Sequence, residues 1–370
     1  MLGDPIRRIA ICTGGGDAPG LNAVISSVVW AAAQRGWECF GIRDGFNGIL
    51  EPGRYPEGGV IALTRERVRG ISHLGGTMLG STNKGNPLEY PVRQPDGSVR
   101  ATDRSQEILD YFRREGINAL VSVGGDGSLT IANALHERGL RVIGVPKTID
   151  NDLDKTHTTF GFDTAVSFAT ECLDRLHSTA ESHQRVMVVE VMGRYAGWIA
   201  LHAGIAGGAH AILLPEIPYD LASVAAKVRA RDSRGRSYTL VVVAEGAQPR
   251  AGQRAVQAAA EVGRAERLGG IGEQVAAELA RLTGKEARAV VLGHLLRGGS
   301  PSSFDRIAAK RFGTAAVRGL AQGLRGVMVS LAHPNVVYVP LAEVAGRMKA
   351  VPADSDTLQT ARDLEICLGE

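Results

Sequence analysis

Glycine constrains this chain more than any other residue. It occurs 47 times in 370 positions, about 13% where about 7% is usual, so much of the backbone must turn tightly or approach something closely. The glycines cluster at Gly14–Gly16, Gly75–Gly76, Gly124–Gly127, Gly207–Gly208 and Gly298–Gly299. Between these clusters run two kinds of segment. Short β-branched stretches predict strands at Arg8–Thr13, Trp37–Ile42, Ala119–Val123, Val142–Val145, Val186–Val191, Ala211–Leu214, Thr239–Ala244 and Ala289–Leu292. Longer stretches of helical period predict helices at Leu21–Gln34, Ser105–Glu115, Leu129–Glu137, Thr164–Thr179, Leu221–Arg231, Gly272–Leu282 and Ser303–Gln322. Strands that are apolar throughout belong in parallel sheets covered on both faces. The βαβα order therefore gives an α/β fold with doubly wound sheets, whose ligands bind beyond the carboxyl ends of the strands. The glycine clusters sit at just those junctions.

A chain of this length suggests two units, with a break near Asp152–Gly161. The segment Gln248–Gly270 reads as a surface insertion with a mobile loop, and the tail after Pro352 as a short final helix. Forty-two basic against 39 acidic residues leave a net charge of +3, too balanced for a nucleic-acid binder. No apolar run reaches the length a membrane helix needs, and the N-terminus lacks a secretory pattern. Cys12, Cys39, Cys172 and Cys367 are far apart, a spacing that supports neither a disulfide framework nor a zinc site and fits a reducing, cytoplasmic setting.

Four motifs carry chemistry. Thr13-Gly14-Gly15-Gly16-Asp17-Ala18-Pro19-Gly20-Leu21-Asn22 joins a strand to a helix, where bare glycine N–H groups and a helix N-terminus can face an anion. It is neither a Walker A nor a dinucleotide fingerprint, and glycine for turn geometry alone explains it equally well. Val123-Gly124-Gly125-Asp126-Gly127-Ser128 repeats the arrangement with a carboxylate inside it. Asp126 there suits Mg²⁺ beside a polyphosphate, or an N-cap. In Pro146-Lys147-Thr148-Ile149-Asp150-Asn151-Asp152, an extended backbone would turn both carboxylates to one side. One could then take a proton from an attacking hydroxyl while the other organises a metal; a solvated turn is the alternative. The fourth group supplies cations: Arg185 in Ser182-His183-Gln184-Arg185, Arg194 in Met192-Gly193-Arg194-Tyr195-Ala196-Gly197, Arg288, and Arg297 in Gly293-His294-Leu295-Leu296-Arg297-Gly298-Gly299-Ser300. Guanidinium forks match phosphate oxygens. Glu245, at another strand end, could accept hydrogen bonds from sugar hydroxyls.

Taken together, T-G-G-G-D-A-P-G-L-N, G-G-D-G-S, P-K-T-I-D-N-D, S-H-Q-R, M-G-R-Y-A-G and G-H-L-L-R-G-G-S-P resemble the 6-phosphofructokinase family, in the family's order from Ile9 to about Leu324. The resemblance implies transfer of a phosphoryl group to the C1 hydroxyl of fructose 6-phosphate, on two Rossmann-like domains with mainly parallel sheets and the site between them. It divides the chain into 1–160 plus 296–346, which binds the donor, and 161–295 plus 347–370, which binds the sugar phosphate. Gly15, Gly16, Gly125, Asp126, Gly127 and Ser128 would bind the donor, with Mg²⁺ on Asp126. Asp150 would be the base, and Thr148, Asp152 and Arg194 would organise and stabilise the transferred group. Met192, Gly193 and Glu245 would contact the sugar, and His294 and Arg297 its 6-phosphate. Arg185 and Arg288 would reach the 6-phosphate of a neighbouring subunit, which implies a homodimer or homotetramer.

Two features of the resemblance bear on the donor. Pyrophosphate-using members resemble one another in Asp at the position of Gly127 and Lys at that of Lys147. A carboxylate at 127 would repel the α-phosphate of ATP, so Gly127 points to ATP, while Lys147 is of the pyrophosphate type and keeps reversible pyrophosphate chemistry as the alternative. A family arginine that contacts ATP is matched by Asn83, with Lys84 beside it. Positions that line an effector pocket in regulated relatives carry Ser26, Trp30 and His177, which supply no arginine for an anionic effector.

Overall fold

The computed structural model describes residues 5–252, 254–258 and 267–370. Two sheets organise them. The larger has seven strands in the order Asn335–Pro340, Val327–Ala332, Val142–Pro146, Ala119–Gly124, Arg8–Thr13, Glu38–Ile42, Val60–Leu63. The five inner strands run parallel and the two outermost antiparallel. The smaller has four, Ala287–Val291, Val186–Val191, Thr239–Ala244 and Ala211–Leu213, all parallel.

The inner strands are buried along nearly their whole length because helices cover both faces. Ile9, Ile11, Val121, Val123 and Ile143 on one face of the large sheet pack with Leu21, Val24, Phe160 and Phe312. Ala10, Leu120 and Val142 on the other meet Ile108, Phe112, Leu129 and Leu135. The helices Leu21–Gln34 and Ser303–Ala321 lie against each other. A Cβ at Gly313 would stand 2.1 Å from Ser27 Oγ and 2.8 Å from the Val24 carbonyl, so glycine there permits the close approach. In the small sheet, Met187, Val189, Leu240 and Val242 share one core with Leu173 and Leu201. Val186, Val188, Val241 and Val243 share another with Val224 and Val275.

After the helix Ser303–Ala321 the chain adds two strands to the large sheet, then returns to the small one. Cys367 bridges to Ala211, and the helix Asp356–Asp363 packs on Trp198–Ala206. That final helix lies where expected. Seven of the eight expected strands agree within one residue at each end. The expected Ala289–Leu292 is instead Ala287–Val291, because its pairing with Val186–Val191 starts at Ala287. The helix Phe162–Ser182 is longer at both ends than its apolar period. Of Gln248–Gly270, residues 253 and 259–266 lie outside the described residues; Val256–Ala258 pairs with Arg267–Leu268, a short ladder where only a loop was expected. Among the described residues no helix is long and apolar enough to cross a membrane.

Candidate active site

Carboxyl ends of strands from both sheets converge on one region. At Gly14 the backbone N–H donates to the Val123 carbonyl and at Gly15 to that of Thr82, each at 3.0 Å. Ser128, in the first turn of the helix Asp126–Glu137, lies against both glycine loops. A Cβ on Gly14 would meet Ser128 Oγ at 2.7 Å and one on Gly124 at 2.3 Å. Gly15 takes φ 78°, the left-handed region that glycine enters without cost. A cavity of about 310 Å³ opens beside these loops, lined by Gly15, Gly16, Asp17, Gly76, Thr77, Ser81, Thr82 and Asn83. Lys84 follows Asn83 in sequence, and its N–H donates to Thr82 Oγ1 at 3.0 Å. Gly127 faces open space, with no atom within 4 Å of where a Cβ would project.

Lys147 leaves the end of the strand Val142–Pro146 and is 3% exposed. Its ammonium donates to the Gly16 carbonyl. Burial, with the Arg297 guanidinium close by, lowers its pKa to about 8, since both disfavour a second cation in a dry site. Arg297 reaches the same loop from the other side, donating through Nη1 to the Asp17 carbonyl at 3.2 Å.

Asp150 is buried at 4% exposure. Its N–H donates to Thr148 Oγ1 at 3.0 Å, and its Oδ1 is buried with no hydrogen-bond partner. Burial raises its pKa and the Glu245 carboxylate adds to that, against the nearby charges of Arg297, Arg194 and Lys147. Asp152 is pushed up to about 6, by burial first and then by the charge of Asp150, while a hydrogen bond from Thr148 opposes the shift. The stretch between them is not extended, so alternation is not what brings them together. Asn151 has φ 52°, a left-handed turn that Asn tolerates. The two carboxylates come together because the chain turns at Asn151.

Arg194 stands in a similar turn, with φ 49°. Its backbone N–H donates to Glu245 Oε1 at 3.1 Å, and burial raises the pKa of Glu245. The turn depends on neighbouring glycines: a Cβ at Gly246 would stand 1.7 Å from the Arg194 carbonyl. Gly193 takes φ 151°, and Met192 packs half-buried on the adjacent core. The short helix Gly293–Arg297 presents His294 exposed beside Arg297.

Two expected residues stand apart, and a third has a partner outside the glycine loops. Asp126 is exposed at the start of its helix, and its Oδ1 accepts from the Gly346 N–H at 2.7 Å. Arg185 and Arg288 both pair with Glu286, at 3.2 Å and 2.6 Å, at the amino-terminal edge of the small sheet. Arg194 lies at the other end of the six-residue strand Val186–Val191, about 20 Å away at 3.3 Å per residue. Of the three effector-pocket positions, His177 lies 2.8 Å from the Gly207 carbonyl through Nε2. Ser81, Thr82 and Lys349 also touch the site region and were not singled out by motif. The Gly75–Gly76 cluster hinted at the first two, whereas a single lysine near the C-terminus gave no signal. No group of three or more His, Cys, Asp or Glu side chains gathers among the described residues as metal ligands would.

The phosphofructokinase family model matches residues 8–320. The chain belongs to that family. A phosphofructokinase relative from Chloroflexus aggregans, named ATP-dependent 6-phosphofructokinase, is 50% identical over 98% of each chain. One from Synechocystis, named ATP-dependent 6-phosphofructokinase 1, is 47% identical over 98% of this chain and 99% of its own. Among solved structures, Pichia pastoris phosphofructokinase superposes with TM-score 0.78 at 30% identity, covering 98% of this chain and 37% of that longer one. A pyrophosphate-dependent phosphofructokinase from Marinobacter aquaeolei, at 23% identity and TM-score 0.79 over 99% of this chain, shares the fold.

Proposed function

We propose that this protein transfers the γ-phosphoryl group of ATP to the C1 hydroxyl of fructose 6-phosphate, giving fructose 1,6-bisphosphate. The observation that carries the reading is the Asp150 carboxylate, buried with an unpartnered oxygen in the same field as Lys147, Arg194 and Arg297. A raised carboxylate pKa makes a better acceptor for the hydroxyl proton, and the surrounding cations stabilise charge on the moving phosphoryl group. Thr148 and Asp152 organise the transferred group, and Arg194 stabilises its charge. Glu245, Met192 and Gly193 meet the sugar, and His294 and Arg297 its 6-phosphate. The donor lies along Gly15, Gly16, Gly125, Gly127 and Ser128, with Asn83 lining the cavity and Lys84 next to it in sequence. Asp126, one carboxylate on a helix N-terminus beside a glycine loop, suits Mg²⁺, which binds through one or two carboxylates plus substrate phosphates. The ion would supply charge neutralisation of the donor phosphates.

The division into 1–160 plus 296–346 and 161–295 plus 347–370 follows the two sheets, since strands 327–340 join the first and Cys367 the second. Four free cysteines, two of them buried, suit a cytoplasmic enzyme. Arg185 and Arg288 are too far from Arg194 to serve the same site and would serve that of a second copy, in a homodimer or homotetramer.

Lys147 is the one feature that favours pyrophosphate as donor, and open space at Gly127 favours ATP. Steady-state rates with each donor, for wild type and Gly127→Asp, decide between them. Wild type is expected to turn over with ATP, and the aspartate to depress ATP turnover at least tenfold through repulsion of the α-phosphate. Turnover of wild type with pyrophosphate but not ATP would overturn the donor assignment.

A further inference from the structure

Lys349 lies beyond the stretch matched by the family model, in the segment that carries the chain from the large sheet back to the small one. Its ammonium donates to Asn151 Oδ1 at 3.0 Å, to the Thr156 carbonyl at 3.0 Å and to the His157 carbonyl at 3.1 Å. An ammonium has three donors, and here each has an acceptor. The Lys349 backbone is tied as well: its N–H donates to the Asp152 carbonyl at 2.8 Å, and its carbonyl accepts from Trp198 Nε1 at 2.9 Å. The ammonium lies 5.4 Å from the centre of the Trp198 ring. Two residues on, the Val351 N–H donates to Glu216 Oε1 at 2.8 Å, and the same carboxylate holds the Gly197 N–H at 3.0 Å. Three residues before Lys349, Gly346 holds Asp126. One strap thus touches the loops that present Asp126, Asp150 and Asp152, and Arg194.

Asn151 is the link that matters. It holds φ 52° between the two buried aspartates, and its side-chain oxygen is shared between Lys349 and the Thr159 N–H at 3.2 Å. A left-handed conformation in a residue other than glycine persists where the surroundings fix it. We propose that Lys349 is a positioning residue for phosphoryl transfer, clamping Asn151 so that the Asp150 and Asp152 carboxylates face one reacting space. Lys349 lies outside the groups assigned to substrate, so its removal acts on geometry and hence on kcat. A misplacement of about 1 Å at the reacting groups can cost about 10²-fold in rate.

The inference rests on the phosphoryl-transfer reading, and the two fail separately: wild type without transfer activity sinks that reading, whereas the clamp is tested by variants against an active wild type. Lys349→Met is expected to lower kcat at least tenfold, with KM for fructose 6-phosphate and for the donor within twofold and native circular dichroism retained. In an Asn151→Gly background, where the left-handed turn is free of strain, Lys349→Met should cost less than threefold. An unchanged kcat per folded molecule, a loss confined to KM, or full additivity of the two substitutions would each overturn the clamp. Should Lys349→Met not accumulate folded, Lys349→Arg takes its place with the same reading, since a planar fork keeps the charge but cannot meet all three acceptors.

Discussion

The proposed chemistry rests on two carboxylates, Asp150 and Asp152. Both are pushed toward protonation, Asp152 to about 6, and the physical cause is shared: burial, then like charge. A base acts in its deprotonated form, and a raised pKa means protonation begins at higher pH. Activity should therefore fall in acid at a higher pH than an ordinary Asp base, which would hold to about 4, would give. Asp152→Asn removes one of the two negative charges, so the acid limb of kcat should move to lower pH even as its plateau drops. A wild-type limb near pH 4, or one that Asp152→Asn leaves in place, would contradict the pairing. Asp150→Asn should lower kcat by about 10²–10⁴ with KM little changed, measured by steady-state kinetics at the plateau. The residues of this pair were legible in the sequence. Their geometry was not: alternation would face them together only on an extended segment, and the chain instead turns at a left-handed Asn151 held by Thr159 and Lys349, contacts no local pattern encodes.

At the scale of elements, regularity decided what could be read. Strands buried on both faces and helices with an apolar period stood out, and the glycine clusters marked the loops between them. The strands Val60–Leu63, Val327–Ala332 and Asn335–Pro340 were missed, two of them because edge strands present a mixed, half-exposed pattern. The helix Trp198–Ala206 was missed because it is apolar nearly all round, which periodicity cannot separate from a strand. The joint between the two halves was equally silent. Asp305 Oδ2 accepts from the Thr164 N–H at 2.8 Å and from Thr164 Oγ1 at 2.6 Å. Ser302 N–H donates to Thr164 Oγ1 at 2.9 Å, and Ser302 Oγ to Asp163. Two helix N-termini thereby cap each other across 140 residues of sequence. Asp305→Ala removes the acceptor and leaves a buried N–H unpaired, a loss of about 2 kcal/mol, expected as a lower urea midpoint. Burial raises the Asp305 pKa from 3.8 to about 6, so its protonated form is favoured in the folded state. Its contribution is full below about 4 and fades as pH rises through about 6. The deficit of Asp305→Ala should therefore be larger at pH 5 than at pH 8, and a deficit that grows with pH would refute the assignment.

For the whole molecule, the question is whether one chain completes a site. Arg185 and Arg288 sit on Glu286 at the amino-terminal edge of the small sheet, and the residues around Asp150 gather at the carboxyl ends. The edge strand Ala287–Val291 leaves Val291 50% exposed, and Leu295 just beyond it is 63% exposed. Both suit burial against another copy, as an open edge strand invites pairing or cover. If sites are shared in a symmetric oligomer, a chain carrying Asp150→Asn still lends its arginines, and one carrying Arg185→Ala with Arg288→Ala still lends its base. Each variant alone should be nearly inactive. Mixed at equal amounts and allowed to exchange subunits, they should regain about a quarter of wild-type activity, because a quarter of randomly paired sites combine an intact base with intact arginines. A site built within one chain could never be restored this way, since every chain in the mixture carries a lesion. Activity that stays at the level of the separate variants, with exchange verified by mass-labelled subunits, would place all the chemistry in one protomer and leave the two arginines to hold Glu286 alone.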